Sequence, residues 1–558
     1  MFIRNPFASI LYALVFLLTT VDTHLFVYPS LSHALMSGIV IALLGIYAFG
    51  KMLSSKEHVP ITTGHWLVLA WIVYICLHHI VAPAETYRVF YYLSSLLFCL
   101  ITAILLQMEL LRWHVLENIL LSIAVLHAIV VLYQTIWPSE SDYPITGLAE
   151  NPTVTAIYLS CCVSILVERI RTKSLLFFPL LMLLLICIII LQCRAAYVGV
   201  FVLLVVKIYR CYGRKYIARL TGVILIIAVL CGYGLFHLKR NSSEGRLLIW
   251  KIAAHVIVKN PMGYGYGLFE KQYNLAQANY FDEGGSEREK MLADHVYMAY
   301  NDTIEQTVEG GIIGGVLYFL FFVFMIAWAA KNGDVTALSV ITMLFAMSMI
   351  NFVLTAVSVW SLLMCFSGKV LSIQGRNHCL NHRVLAFLCL ISMSFFLLRY
   401  MRVSKAQFLL SRVEKSKESY IWQVKMLSAT IESSERYYIV LSDKYMNARR
   451  YDKAIETLTK AKKYTSSPLA YYMLSTCYRK TGNKQKCIEN LLLISRMKPH
   501  HFWPKMLLMC SYDKFGDTKQ ALYYAHIILN APVKVQSELV TSYKKEAVQY
   551  VLAHTTPL

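Results

Sequence analysis

The chain has 558 residues, 57% of them hydrophobic, and a mean hydropathy of +0.53. A water-soluble globular chain does not reach that average, so most of this one belongs in a bilayer. The formal net charge is +21, but the basic residues lie between apolar runs and not on one polar face, which argues against nucleic acid as a partner and fits the positive-inside pattern.

In chain order, apolar runs long enough to cross a bilayer fall at 8–27, 31–50, 66–82, 89–107, 115–137, 153–168, 174–192, 195–209, 219–237, 312–330, 335–352, 353–371 and 384–400. The expected fold is all-α, a polytopic membrane helix bundle of about 12–13 spans. Arg4 and the apolar run after it could open a signal peptide. No small-residue cleavage site follows, so a retained first helix is expected. With Arg4 cytoplasmic, alternate loops carry Lys51/Lys56, Arg112, Arg169/Arg171/Lys173, Lys207/Arg210/Arg214/Lys215/Arg219, Lys331 and Lys369/Arg376/Arg383. The opposite loops are short or acidic, as in Ser139-Glu140-Ser141-Asp142. This parity puts 138–152, Arg194, the loop 238–311 and everything after Arg402 on the outer face. In a Gram-negative cell that face is the periplasm and the membrane is the inner one.

Fourteen cysteines are scattered, mostly inside apolar runs, where they read as small packing residues. There is no Cys-x-x-Cys pair and no metal-ligand spacing, so no metal is expected. Cys477, Cys487 and Cys510 could form a disulfide, but helix packing is the preferred role.

After Arg402 the long apolar runs stop and amphipathic helices begin. Leu441, Tyr445, Ala454, Leu458 and Ala461 recur as Leu474, Tyr478, Cys487, Leu491 and Pro499, and again as Leu508, Tyr512, Ala521 and Ala525. The period is about 34 residues. Gly482 and Gly516 stand where each helix–turn–helix needs a stop. The tail resembles a tetratricopeptide array, and the expected division is a membrane domain over 1–402 and a repeat domain over 403–558.

The polar stretch from Arg246 to Gly314 holds the candidate chemistry. Arg194, at a hairpin between two apolar runs, is either a snorkelling anchor or a phosphate clamp, since a guanidinium presents a fixed fork to phosphate oxygens. Arg246 is a second cation on the same face. Gly263, Gly265 and Gly267 alternate with aromatic residues and permit tight turns, but lack the strand and spacing of a dinucleotide site. His295 is a candidate base for an acceptor hydroxyl, against the plain reading of a surface histidine. Asp302, Glu305 and Glu309 follow Asn301 at helical spacing and read as a first helical turn favoured by the dipole.

The set resembles the O-antigen ligase superfamily, which also contains O-antigen polymerases and bacterial protein O-oligosaccharyltransferases. The residues that carry the resemblance are Cys193-Arg194-Ala195-Ala196-Tyr197-Val198-Gly199, Gly245-Arg246 with Trp250, Asn260-Pro261 with the glycines, and Asn301-x9-Gly311-x2-Gly314. Gly147 and Asn151-Pro152 with Ala156 are similar to a further family element. The resemblance implies a membrane glycosyltransferase of the C-type fold, independent of metal and without a cofactor, that takes a glycan from a polyprenyl diphosphate. It assigns Arg194 and Arg246 to the diphosphate, and the 300–314 motif, with its glycines Gly311 and Gly314, to the acceptor side. The family motif opens His-Asn; here Tyr300 stands in place of the histidine, so His295 or Tyr300, with Asn301, would serve the acceptor. The acceptor is a lipid A–core, a growing polysaccharide or a protein hydroxyl, and the repeats could recruit a protein partner.

A second class of reading is a lipid-linked glycan transporter or a membrane-anchored scaffold. A transporter should place ionisable residues deep within its spans. The sequence offers few: Asp22, His24, His78, His79, Glu109 and His127.

Overall fold

The computed structural model describes residues 6–21, 26, 29–55, 60–84, 86–140, 143–172, 175–211, 221, 234, 237, 240–373, 382–416, 420–431 and 434–555. The protein is all-helical, with no strand among the described residues. By contacts it divides into two units. The first is Met1–Leu238 with Tyr300–Phe408, and the second is Lys239–Ala299 with Leu409–Leu558. The loop expected with the membrane domain therefore clusters with the tail.

The first unit is a bundle of apolar helices. Among the described residues, seven helices are long and apolar enough to cross a membrane: Leu31–Ser54, Thr63–Val81, Tyr87–Gln107, Trp113–Ile136, Pro152–Arg171, Asp302–Lys331 and Ala386–Lys415. Shorter apolar helices cover Pro6–Leu18, Leu175–Ile190, Val335–Ser348 and Val357–Ser372. With the helix Arg194–Cys211, a helix overlaps every expected span except 219–237, which lies almost wholly outside the described residues, but only the seven have the length and apolarity to cross. Three ion pairs tie helix ends together where the parity argument grouped the basic loops. Arg169 meets Glu117 at 3.0 Å, Lys207 meets Glu168 at 2.5 Å, and Lys369 meets Asp334 at 2.7 Å. Elsewhere small residues let helices approach closely. A Cβ at Gly368 would lie 2.6 Å from the Cys99 carbonyl oxygen, so the helix Val357–Ser372 packs against Thr86–Gln107 with backbone near backbone.

Two helices exceed their expected spans. Asp302–Lys331 starts ten residues before the predicted run at 312, because a capped polar turn extends it. His382–Lys415 has 34 residues and continues past the expected boundary at Arg402. At 1.5 Å per residue it is about 50 Å long, more than a bilayer core requires. The division between the units falls inside this helix.

The second unit contains three helix hairpins: Glu435–Asn447 with Tyr451–Ala461, Pro468–Lys480 with Lys484–Met497, and Phe502–Lys514 with Thr518–Asn530. The turn is the same each time. Arg450 N–H donates to the Tyr445 carbonyl, Asn483 N–H to Tyr478, and Asp517 N–H to Tyr512, each at 2.8–2.9 Å. The residue before each donor is left-handed: Arg449 at φ 56°, Gly482 at 78° and Gly516 at 74°. The repeated tyrosine thus ends one helix and supplies the carbonyl that closes its Schellman turn. The small residues Ala454, Cys487 and Ala521 are buried, and Cys477, Cys487 and Cys510 are free thiols.

Nothing lies within 4 Å of a Cβ placed at Gly482, so only backbone strain opposes a side chain there. Gly482→Ala is expected to weaken the tail by about 1 kcal/mol. Arg449→Gly, which relieves the same strain in the first hairpin, should act in the opposite direction by a smaller amount. Amide hydrogen exchange of the tail in detergent-solubilised protein measures both signs.

Candidate functional site

In the first unit the site is built where the helix Asp302–Lys331 begins. Asn301 caps that helix: its Oδ1 accepts from Ile304 N–H at 3.2 Å, while its Nδ2 donates to the Met349 carbonyl at 3.0 Å. Asp302 is fully buried, and its Oδ2 accepts from the backbone N–H groups of Val353 at 2.9 Å and Leu354 at 2.8 Å and from the Tyr318 hydroxyl at 3.3 Å. Those amides belong to the non-helical stretch between Val335–Ser348 and Val357–Ser372. One carboxylate therefore satisfies backbone donors that a chain break inside an apolar bundle would otherwise leave unpaired.

Glu305, Gln306 and Glu309 continue the same buried face, one and two turns further on. Asp302 and Glu305 lie in the first turn, as expected, but the stripe is buried and not solvated. Arg88, two residues into the helix Thr86–Gln107, lies 3.9 Å from Glu305. The Tyr92 hydroxyl lies 3.5 Å from Glu309 Oε2. Gly311 then breaks the helix at φ 68° and ψ −176°, a conformation open to glycine and strained for other residues. The Tyr74 hydroxyl donates to the Gly310 carbonyl at the break. Gly314 is buried on the same helix. Tyr300, just before Asn301, holds φ 52° and packs edge-on to Phe352.

Arg194 opens the helix Arg194–Cys211. A Cβ at Gly199 on that helix would collide with Met347, near the end of Val335–Ser348. Five residues earlier, Arg194 lies about 7 Å further along the axis, at the end of the bundle where Met349 receives Asn301. The expected donor residue Arg194 and the expected acceptor-side residues Tyr300 and Asn301 thus share one end of this unit. At the end of Trp113–Ile136, Gln134 Oε1 accepts from Thr146 and Gly147 N–H at 2.8 and 2.7 Å, which orders the segment before Asn151-Pro152.

The remaining candidates belong to the second unit. Arg246 is half-buried on the helix Arg240–Lys259, where Trp250 Nε1 donates to the Ala299 carbonyl at 3.0 Å. Gly263, Gly265 and Gly267 all take positive φ, at 86°, 108° and 93°, and Asn260 Nδ2 closes the turn onto the Gly263 carbonyl at 2.8 Å. The His295 side chain is only 4% exposed, with Nε2 2.8 Å from Glu270 Oε1 but off the line of a full hydrogen bond. Glu270 also accepts from Ser466 Oγ at 2.9 Å, in the tail. Burial beside Glu270 holds the Glu435 carboxyl above its ordinary range. Asp294, His500 and His501 offer ligand atoms within 4.8 Å of one another and could by type hold a metal ion. Lys498 Nζ already lies 3.1 Å from Asp294 Oδ1. A search by local spacing misses this cluster because its members come from distant segments.

Residues 179–319 match the O-antigen ligase family model. The chain carries an O-antigen ligase domain. The matched stretch, less than half of the chain, spans Arg194, Arg246, Asn301, Gly311 and Gly314. Curated proteins give no match. Together with its apolar helices, the match supports a multi-pass, O-antigen-ligase-like membrane glycosyltransferase in general.

Two outcomes follow from this geometry. Asp302→Ala removes a buried acceptor and strands two backbone amides, so it should cost about 3 kcal/mol or more, read as a lower melting temperature in detergent. The second unit should lose stability in acid. Burial, with His501 and Lys534 nearby, lowers the His500 imidazole to about 4. The unfolded chain binds that proton first, so stability is full above about pH 6.5 and declines as pH falls toward 4. Glu289 adds a second loss at lower pH. Burial opposes its charge, but Ser286, Lys251 and Tyr280 outweigh burial and hold it at about 2. Hydrogen exchange in the second unit against pH checks both steps.

Proposed function

We propose that the protein transfers a glycan from a polyprenyl diphosphate to an acceptor hydroxyl at the outer face of the bacterial inner membrane, as O-antigen ligases do. The observation that carries this reading is the family match over a segment that holds both arginines and the Asn301 motif. Arg194 and Arg246 neutralise the diphosphate, which gains negative charge as it leaves; attraction that grows along the reaction lowers the barrier. The acceptor oxygen attacks the anomeric carbon from the opposite side, with inversion. The diphosphate is itself the leaving group, so the proposed reaction needs neither nucleotide nor metal. Tyr300 and Asn301 position the acceptor; Asn301 is fixed by its cap, and the positive φ of Tyr300 is the kind of strain that functional positions hold. His295, engaged with Glu270, keeps the loop seated on the tail and reaches the acceptor only if that pair opens.

The acceptor is a lipid A–core, a polysaccharide or a protein. The repeated hairpins of the tail, read as a periplasmic tetratricopeptide-like domain, favour recruitment of a protein partner. The transporter reading gains one observation, since Arg88, Glu305 and Glu309 are ionisable groups inside an apolar bundle. Product formation separates the two readings. Purified protein in detergent, given a polyprenyl-diphosphate glycan and candidate acceptors, should form product in the presence of a chelator. Arg194→Ala and Arg246→Ala should each lower the rate by about 100-fold or more. Donor translocation without any product would support the transporter, and full activity in both variants would remove the diphosphate clamp.

A further inference from the structure

We propose that Arg88 and Glu305 form an exchangeable pair in the reaction: Arg88 turns from Glu305 to the donor's diphosphate, and Glu305 takes the proton of the acceptor hydroxyl. The inference rests on the transfer reading above and supplies the proton acceptor that Tyr300 does not.

The first ground is the geometry of the pair. Its separation is 3.9 Å, whereas Arg169–Glu117 and Lys369–Asp334 in the same unit close to 3.0 and 2.7 Å. A purely structural buried pair draws its worth from tight hydrogen-bonded contact, and this one is not drawn tight. The exposures differ as well: the Arg88 side chain is 24% exposed and that of Glu305 is 1%. The cation is the outward member and the carboxylate lies behind it.

The second ground is charge. Asp302, Glu305 and Glu309 make a buried stripe, and the Arg88 guanidinium lies beside it. Backbone amides hold Asp302, and Tyr92 stands by Glu309. Within the stripe, Asp302 Oδ1 and Gln306 Nε2 have no hydrogen-bond partner although both residues are buried. A buried stripe of this kind is costly to build, and packing alone does not require it. It also favours the positive charge that gathers at an anomeric carbon as its bond to phosphate breaks.

The third ground is position. Arg88 stands in the first turn of its helix, where the dipole adds to its attraction for an anion. Glu305 lies four residues, about 6 Å, inside Asn301, at the bundle end that holds Arg194. In the step, the acceptor O–H proton passes to the Glu305 carboxylate while the acceptor oxygen bonds to the anomeric carbon. The bond from that carbon to the phosphate oxygen breaks, and the polyprenyl diphosphate leaves with the electron pair, held by Arg88.

The test uses full-length protein in detergent with a polyprenyl-diphosphate glycan. Arg88→Gln should raise the donor KM by about tenfold or more, the loss of one charge-assisted contact. Glu305→Gln should lower kcat by about 100-fold, leave the donor KM within about twofold of wild type, and abolish the acid limb of the kcat–pH profile. Glu305→Asp should keep that limb. The combined Arg88→Gln/Glu305→Gln variant, in which a buried ion pair becomes a neutral one and folding is retained, should stay as impaired as the weaker single variant. Recovery of the combined variant toward wild-type rates would overturn the proposal, since the pair would then be only structural. Wild-type kinetics in both single variants, with Arg194→Ala inactive, would also overturn it and leave the transfer reading standing. A wild-type protein that makes no product would sink the transfer reading itself.

Discussion

The carboxylate of Asp302 accepts from two backbone amides and a tyrosine hydroxyl inside an apolar bundle. Much of that end of the first unit depends on this arrangement. A chain that breaks between Ser348 and Val357 exposes backbone groups that lipid-like surroundings cannot satisfy. Asn301 and Asp302 meet that demand from one side, through the Met349 carbonyl and the Val353 and Leu354 amides. The start of one helix and the gap between two others are therefore fixed by the same pair of residues. A polar motif at this end then serves packing first, and chemistry can be added at little further cost.

Beyond that anchor, the helix Asp302–Lys331 continues its polar face inward for two turns before Gly311 breaks it. Buried acids so close together carry a penalty unless cations, hydrogen bonds or protons meet them. Arg88 and Tyr92 meet part of the charge. The second unit solves a similar problem differently. Its half-buried Glu270 is met by His295 from the loop and Ser466 from the tail. Gln277 Nε2 donates to the Met497 carbonyl at 2.7 Å and to the Asp294 carbonyl at 2.9 Å. Loop and tail form one packed body by sharing polar groups as well as apolar surface.

Apolar length made the spans legible, since about twenty consecutive apolar residues have few soluble uses. The tail hairpins were legible because a Tyr, a left-handed turn residue and a small residue recur in register. Arg449 shows the limit of that pattern, because the first hairpin makes the same turn without glycine. Asp302 and Glu305 do lie in the first helical turn that their spacing indicated, but the burial of the stripe was not legible, since an inward acidic face and a solvated one have the same spacing. Arg88 gave no signal, because an arginine at a helix start looks like an ordinary loop cation. The union of residues 239–299 with the tail was also hidden. It rests on contacts such as Glu270 with Ser466, which no local period encodes. The helix that runs on to Lys415 lost its apolar signal at Arg402 without losing its helicity.

The account's central claim is that guanidinium groups of this domain hold the donor by its diphosphate. The most direct measurement is the affinity of full-length protein for an unreactive polyprenyl diphosphate, with no glycan and no acceptor present, in wild type and in Arg194→Ala. The account predicts binding by wild type that weakens about tenfold or more in the variant, while the uncharged polyprenyl alcohol binds both proteins alike. Equal affinity of the two proteins for the diphosphate would contradict it.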